Sequence, residues 1–165
     1  MTIYSANCGD ARAVLSTSST VIRLTHDHRA NDPIEQKRIE SSGGFVIRNR
    51  VLGILAVARS FGDHGLKEYV ICRPDLRAFD IRGEDLNDDA SFVILACDGL
   101  WDVMEDEEAV DLVKRYIKGA NHLGEKEDRQ RRHNVARMLA DEALKRASGD
   151  NITVLVAWLS DSTNS

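Results

Sequence analysis

The stretch Phe92-Val-Ile-Leu-Ala-Cys-Asp-Gly99 decides the fold, because a continuously apolar run ends there in an aspartate and a glycine. A second apolar run, Ile152 to Leu159, follows Asp150 and Asn151 and is interrupted by one threonine. Runs of this length without alternation are typical of strands buried on both faces of a sheet. We therefore predict two central strands, with an aspartate at the end of the first and another at the start of the second.

If these strands are antiparallel neighbours, the carboxylates of Asp98 and Asp150 converge on one edge of the sheet. An unpaired carboxylate pair is repulsive, so a divalent cation is the favoured partner. Asp102 and Asp10 are candidates to join them. Mg²⁺ and Mn²⁺ prefer carboxylate and water ligands, and two such ions together can activate a water for attack on phosphorus. The alternative is that each aspartate, beside glycine or asparagine, only forms a turn or a cap.

The rest of the pattern predicts an α+β fold with antiparallel pairing. Amphipathic helices are expected near Glu107 to Lys118 and near Arg132 to Ala147. A further helix, Pro33 to Ser42, is marked by Asp32 as N-cap and by Glu35 in a capping-box position.

Turn residues predict two hairpins and one further strand. Thr2 to Ala6 and Arg12 to Leu15 form the first hairpin, joined through Asn7 to Asp10, and the second has Arg48, Asn49 and Arg50 at its tip. Leu76 to Ile81 alternates as a half-buried strand does, and we expect it to pair with the apolar run that follows it.

Composition excludes some classes of function. The net charge of −5 disfavours nucleic acid as a partner, and no apolar run reaches the length of a membrane span. Three widely separated cysteines predict buried free thiols, and His26, His28 and His64 are predicted to lie in surface loops. Without a secretory signal, we expect a cytoplasmic or nuclear location.

Four segments, in order, closely resemble successive motifs of the type 2C (PPM) metal-dependent serine/threonine protein phosphatases. They are Asn7-Cys-Gly-Asp-Ala-Arg12, Arg50-Val-Leu-Gly-Ile-Leu-Ala-Val-Ala-Arg-Ser-Phe-Gly-Asp63, Ala96-Cys-Asp-Gly-Leu-Trp-Asp-Val-Met104 and Ser148-Gly-Asp-Asn-Ile-Thr153. The resemblance covers nearly the whole chain. The segment from Arg50 to Asp63 is the most specific of the four.

The resemblance implies the fold, the reaction and the site. The fold would be part of a four-layer α-β-β-α sandwich with antiparallel sheets, and the reaction would be hydrolysis of phosphoserine and phosphothreonine in proteins. Asp98 and Asp150 would hold one of two catalytic Mg²⁺ or Mn²⁺ ions, and Asp10 and Asp102, with Asp98, a third. The region from Pro33 to about Leu55 would be the flap beside the site, with Arg48, Asn49 and Arg50 as the residues facing substrates.

The family's N-terminal motifs are missing from the sequence, including the Asp-Gly-His-Gly-Gly segment whose aspartate bridges the metals. We therefore expect residues 1–160 to be the C-terminal part of a catalytic domain with little activity alone, and residues 161–165 to be a tail. A non-catalytic pseudophosphatase or binding module is the alternative. A homodimer or a swapped assembly is also expected, because half a sandwich leaves sheet edges and apolar faces uncovered.

Overall fold

The computed structural model describes residues 1–81, 91–118 and 125–159. Its helices and strands, in chain order, are β1 (Thr2–Asn7), β2 (Arg12–Ser16), β3 (Val21–Arg23), α1 (Pro33–Ser41), β4 (Val46–Ile47), β5 (Arg50–Val51), β6 (Asp75–Asp80), β7 (Phe92–Ala96), α2 (Asp98–Trp101), α3 (Asp106–Lys118), α4 (Glu125–Lys145) and β8 (Val154–Trp158). The predicted fold class, α+β with antiparallel sheets, is confirmed. The chain forms two compact units.

The first unit comprises Met1–Ile3, Arg12–Leu24 and Phe79–Ser165. Its main feature is a four-stranded antiparallel sheet of order β3-β2-β7-β8. One face packs against the helices through a core that includes Phe92, Ile94, Leu100, Val113 and Leu139, all fully buried. Strands β7 and β8 are direct antiparallel neighbours, so the condition on which the predicted convergence of Asp98 and Asp150 depends is met.

The other face of this sheet packs only in part. Leu15, Leu24, Ile81 and Val93 form a small core there, with Ile3 and Phe79 against them. Leu95 and Leu155, which are direct partners across β7 and β8, remain 43% and 55% exposed.

The second unit comprises Tyr4–Ala11 and Thr25–Ala78. Helix α1 begins as predicted, with the Asp32 carboxylate accepting hydrogen bonds from the backbone N–H groups of Ile34 and Glu35. The core of the second unit consists of small and branched residues: Ala30, Ile39, Val51, Ala58 and Val70.

Glu35 does not complete a capping box. Its carboxylate is buried, at 1% exposure, and is held by the guanidinium groups of Arg38 and Arg59. Burial alone would raise its pKa, but the hydrogen bonds from Arg59 and Arg38 outweigh that effect and leave the pKa below its usual range.

The first predicted hairpin is wrong. Strand β1 pairs with β6, and β2 pairs with β3 and β7, so the turn residues Asn7 to Asp10 join strands of different sheets. The expected pairing of the 76–81 strand with β7 is wrong for the same reason. The second hairpin, β4 with β5, is confirmed.

The prediction that both apolar runs are covered on two faces is also wrong. Leu95 on β7 and Leu155 on β8 leave one face of both strands partly exposed. Strand β8 also lies at the end of the sheet order, so among the described residues it is an edge strand. Helix α4 begins earlier than expected, at Glu125 rather than near Arg132.

Among the candidate surface residues, His28 departs from expectation, because it is buried at 1% exposure. The three cysteines are free, as predicted, but the predicted burial is wrong, because Cys72 is exposed and Cys8 and Cys97 are only half-buried. Helices within the described ranges lack the length and apolarity needed to cross a membrane. The predicted tail at residues 161–165 lies outside the described residues.

Candidate metal centre

Asp98 and Asp102 lie at the two ends of the short helix α2, which follows β7 directly. Asp98 is its first residue and Asp102 its C-cap, and the backbone N–H of Asp102 donates to the carbonyl of Asp98 at 2.8 Å. Residues four apart share one face of a helix. Asp98 is half-buried and Asp102 exposed, so both carboxylates are accessible to water and ions.

The segment that carries Asp150 contacts the segment that carries Asp98. The N–H of Cys97 donates to the carbonyl of Thr153 at 3.2 Å, and the Thr153 N–H donates to Cys97 Sγ at 3.2 Å. The Cys97 thiol donates in turn to the carbonyl of Asn151 at 3.1 Å. Asp98 and Asp150 are therefore each next in sequence to residues that bond across the end of β7 and the start of β8.

Two further residues strengthen this junction. Ser148 Oγ donates to the carbonyl of Gly99 at 2.7 Å. A Cβ atom on Gly99 would lie 2.2 Å from the carbonyl oxygen of Asn151, so only glycine permits this approach of the two backbones. Sequence reasoning missed the roles of Cys97, Gly99 and Ser148, and a glycine inside a helix was the available signal.

Asp10 lies in the second compact unit, in the connection after β1, whereas Asp98, Asp102 and Asp150 lie in the first. Its carboxylate is half-buried and 3.8 Å from the Nε of Arg29.

The chemistry of these side chains fits Mg²⁺ or Mn²⁺, which prefer carboxylate and water oxygens. Within residues 1–81, 91–118 and 125–159, no group of three or more His, Cys, Asp or Glu side chains is placed to hold an ion. Asp98, Asp102 and Asp150 therefore have the right donor atoms for such an ion, but their role as ligands stays a prediction.

The predicted substrate residues lie at the tip of the β4–β5 hairpin, with Arg48 and Asn49 in the turn and Arg50 as the first residue of β5. Arg48 and Asn49 have positive φ angles of 50° and 59°, as a two-residue hairpin turn with φ positive at both central positions requires. Arg48, Asn49 and Arg50 are all exposed, and the Arg50 guanidinium donates to the carbonyl of Ile54 at 2.8 Å. The turn therefore presents two positive charges to solvent.

An ion cluster of Asp106, Arg12 and Arg23 contacts the end of α2 through Trp101. The Asp106 carboxylate accepts from Arg12 Nη1 and Arg23 Nε, both at 2.6 Å, and the Arg12 guanidinium lies 5.1 Å from the centre of the Trp101 ring. Burial would raise the pKa of Asp106, but the hydrogen bonds from Arg23 and Arg12 lower it overall. Arg12 belongs to the first of the four sequence motifs, and its role here is structural.

Comparison with known families gives a match to the family model described as protein phosphatase 2C, over residues 1–152. The chain is 40% identical over 157 residues to protein phosphatase 2C homolog 1 of Saccharomyces cerevisiae, covering 95% of this chain and 50% of that protein. It is 44% identical over 154 residues to probable protein phosphatase 2C 69 of Arabidopsis thaliana, covering 92% of this chain and 38% of that protein. The chain thus spans half or less of the length of these relatives.

Solved structures with a fold similar to that of this chain include a phosphatase. A phosphatase from a pathogenic strain of Toxoplasma gondii matches with a TM-score of 0.79 and 32% identity, covering 96% of this chain and 48% of that one. A sex-determining protein of C. elegans matches with a TM-score of 0.80 and 27% identity, covering 96% of this chain and 37% of that one.

Proposed function

The chain belongs to the protein phosphatase 2C family, and we propose on that premise that it forms part of the catalytic domain of a serine/threonine protein phosphatase. The proposed substrates are proteins that carry phosphoserine or phosphothreonine, and the proposed reaction is hydrolysis of the phosphoester. The observation that supports this most is the contact between Cys97 and the Asn151–Thr153 segment, because it joins two family motifs that each carry an aspartate.

Asp98 and Asp150 are the proposed ligands of one Mg²⁺ or Mn²⁺ of a catalytic pair, either directly or through water. On the family resemblance alone, Asp102 and Asp10, together with Asp98, are the proposed ligands of a third ion. Bound ions of this kind supply a water of lowered pKa for attack on phosphorus. In support, the four side chains offer hard oxygen donors, and none of them is fully buried.

The other residues of the site have the proposed task of holding these carboxylates and receiving the substrate. Ser148 ties the loop before β8 to the carbonyl of Gly99, which limits how far Asp150 can move from α2. Arg48 and Arg50, with Asn49, would attract the acidic surface around a phosphorylated residue.

We expect the chain alone to bind Mn²⁺ weakly and to turn over little substrate, because among the described residues no three possible ligand side chains are grouped to hold an ion. The test is calorimetric titration with Mn²⁺, followed by a phosphopeptide assay in its presence. Asp98→Asn should abolish the binding heat, whereas Asp111→Asn, an exposed position on α3, should leave it unchanged.

Two outcomes of this experiment would contradict the proposal. No Mn²⁺ binding by the unsubstituted chain, even at millimolar concentration, would favour a non-catalytic pseudophosphatase or binding module. Turnover comparable to that of complete phosphatases would overturn the expectation that the chain is inactive alone.

Self-association is a further part of the proposal. Strand β8 is an edge strand within the described ranges. Leu155 on β8 and its cross-strand partner Leu95 on β7 are both exposed. Edges and apolar faces of this kind pair with other chains. Sedimentation velocity should detect a dimer that Leu155→Lys dissociates, and a monomer at all concentrations would contradict it.

A further inference from the structure

The connection that carries Asp10 is held by the segment His26 to Arg29 at several points. Asn7 Nδ2 donates to the carbonyl of His26 at 2.8 Å and to that of Gly9 at 2.9 Å. The backbone N–H of His28 donates to the same Gly9 carbonyl at 2.9 Å. One turn of chain is therefore fixed on both sides of Cys8.

The imidazole of His28 adds a side-chain contact to this set. Its Nδ1 lies 3.3 Å from the N–H of Gly9 and 3.2 Å from the Gly9 carbonyl, so the ring bonds Gly9 in either tautomer, as acceptor or as donor. Gly9 has a φ of 117° and packs against the backbone of Arg59. The bond is thus made to the residue that immediately precedes Asp10.

Burying the imidazole of His28 lowers the stability of the folded state unless its contact with Gly9 compensates. The side chain is 1% exposed, and its Nε2 has no hydrogen-bond partner among the described residues. An unpaired buried polar atom destabilises the folded state, and leucine at the same place would not have this effect. Packing alone therefore does not account for a histidine at this position.

We infer that His28 is a positioning residue, whose Nδ1 fixes the Gly9–Asp10 backbone and so the place from which the Asp10 carboxylate acts. The functional part of this inference rests on the proposed role of Asp10 as a metal ligand. The structural part, that the imidazole holds the loop by a hydrogen bond, is independent of any metal.

Two substitutions separate hydrogen bonding from packing. His28→Leu keeps most of the side-chain volume and loses the polar atom, whereas His28→Asn keeps a donor and an acceptor at the place of Nδ1 and loses ring volume. Amide hydrogen exchange of Cys8, Gly9 and Asp10 is measured in both, with β7 amides as the internal reference.

We expect exchange of the loop amides to rise roughly tenfold in His28→Leu, the loss of about one net hydrogen bond, and to stay near the unsubstituted rate in His28→Asn. Unchanged exchange in His28→Leu would overturn the inference. An equal rise in both variants would also overturn it, because packing would then explain the effect.

If His28→Leu does not fold, His28→Phe takes its place, because it keeps a ring at this buried position and loses both nitrogen atoms. The same rise in loop exchange is expected, and its absence would overturn the inference.

A second measurement keeps the positioning role distinct from the proposed function. Paramagnetic broadening of the Gly9 and Ala11 amide signals is followed by NMR as Mn²⁺ is added to the unsubstituted chain and to His28→Leu. We expect His28→Leu to need several-fold more Mn²⁺ for the same broadening. No broadening in the unsubstituted chain would count against Asp10 as a ligand, while the exchange data would still decide whether His28 fixes the loop.

Discussion

At the scale of single residues, Gly99 sets the distance between the end of β7 and the loop before β8. Alanine has the higher helix propensity, by about 1 kcal/mol, so α2 considered alone would gain from Gly99→Ala. The methyl group would, however, lie 2.2 Å from the Asn151 carbonyl oxygen. Steric overlap with a backbone atom cannot be relieved by a rotamer change. Its cost should therefore exceed the gain in helix propensity.

We therefore predict that Gly99→Ala lowers the free energy of unfolding by about 1–3 kcal/mol, the usual cost of overpacking. Gly149→Ala is the matched control, because nothing lies within 4 Å of its added methyl. Urea denaturation of both variants provides the measurement. Equal stability of the two would mean that the two backbones do not approach as closely as described.

At the scale of secondary-structure elements, Asp106 joins α3 to β2 and β3 through Arg12 and Arg23. Removing one partner of a buried ion pair leaves the other charge uncompensated and costs about 3–5 kcal/mol, towards the lower end here because Arg23 is 42% exposed. Asp106→Asn should lose roughly this much at pH 7 by urea denaturation. Asp111→Asn, on the same helix but exposed, should stay within about 0.5 kcal/mol.

The pH dependence of this difference follows from the lowered pKa of Asp106. The folded state binds the proton less readily than the unfolded state, so the stabilisation is complete above the ordinary value of 3.8 and is lost as pH falls through the folded-state pKa. The gap between Asp106→Asn and the unsubstituted chain should therefore narrow below pH 3.8. If the difference in unfolding free energy widened in acid, the assignment of a lowered pKa to Asp106 would be contradicted.

Local signals in the sequence predicted those elements whose partners are close along the chain. Helix α1 and the β4–β5 hairpin follow from Asp32, Pro33 and the polar turn at Arg48 to Arg50. The β1–β2 hairpin failed because the turn signal at Asn7 to Asp10 is identical whether the following strand pairs back or enters another sheet. Only contacts distant in sequence, such as those of β1 with β6, decide between these.

In the candidate site, one distant contact could be predicted conditionally. The neighbouring placement of the Asp98 and Asp150 segments follows if the two apolar runs are antiparallel neighbours, which the structure shows them to be. Glu35 looked like a cap because its offset from Asp32 fits a capping box, but its ion partner Arg59 is 24 residues away. The burial of His28 also depends on such distant contacts, and no periodicity marks it.

At the scale of the whole molecule, the two compact units have cores of different size. The first unit has two buried clusters around its four-stranded sheet. The second has one small cluster, and it also buries the Glu35 carboxylate, which is paired with two arginines. Units with less buried apolar area open at lower free energy.

We accordingly predict that α1 amides exchange through openings of lower free energy than the β7 amides. Both tryptophans, Trp101 and Trp158, lie in the first unit, so their fluorescence in urea gives the unfolding free energy of that unit alone. Glu35→Gln should lower the opening free energy of α1 without moving the fluorescence transition. Equal opening free energies for α1 and β7 would instead indicate a single cooperative unit.

The exposed margin of β8 has a consequence for the lifetime of the free polypeptide. A row of backbone donors and acceptors beside apolar side chains offers a growth point for cross-β stacking. At high concentration, or during prolonged storage, such a chain should be lost to fibrils or precipitate rather than to simple denaturation. The time for which it stays soluble would then depend on how quickly another strand pairs with the exposed side of β8.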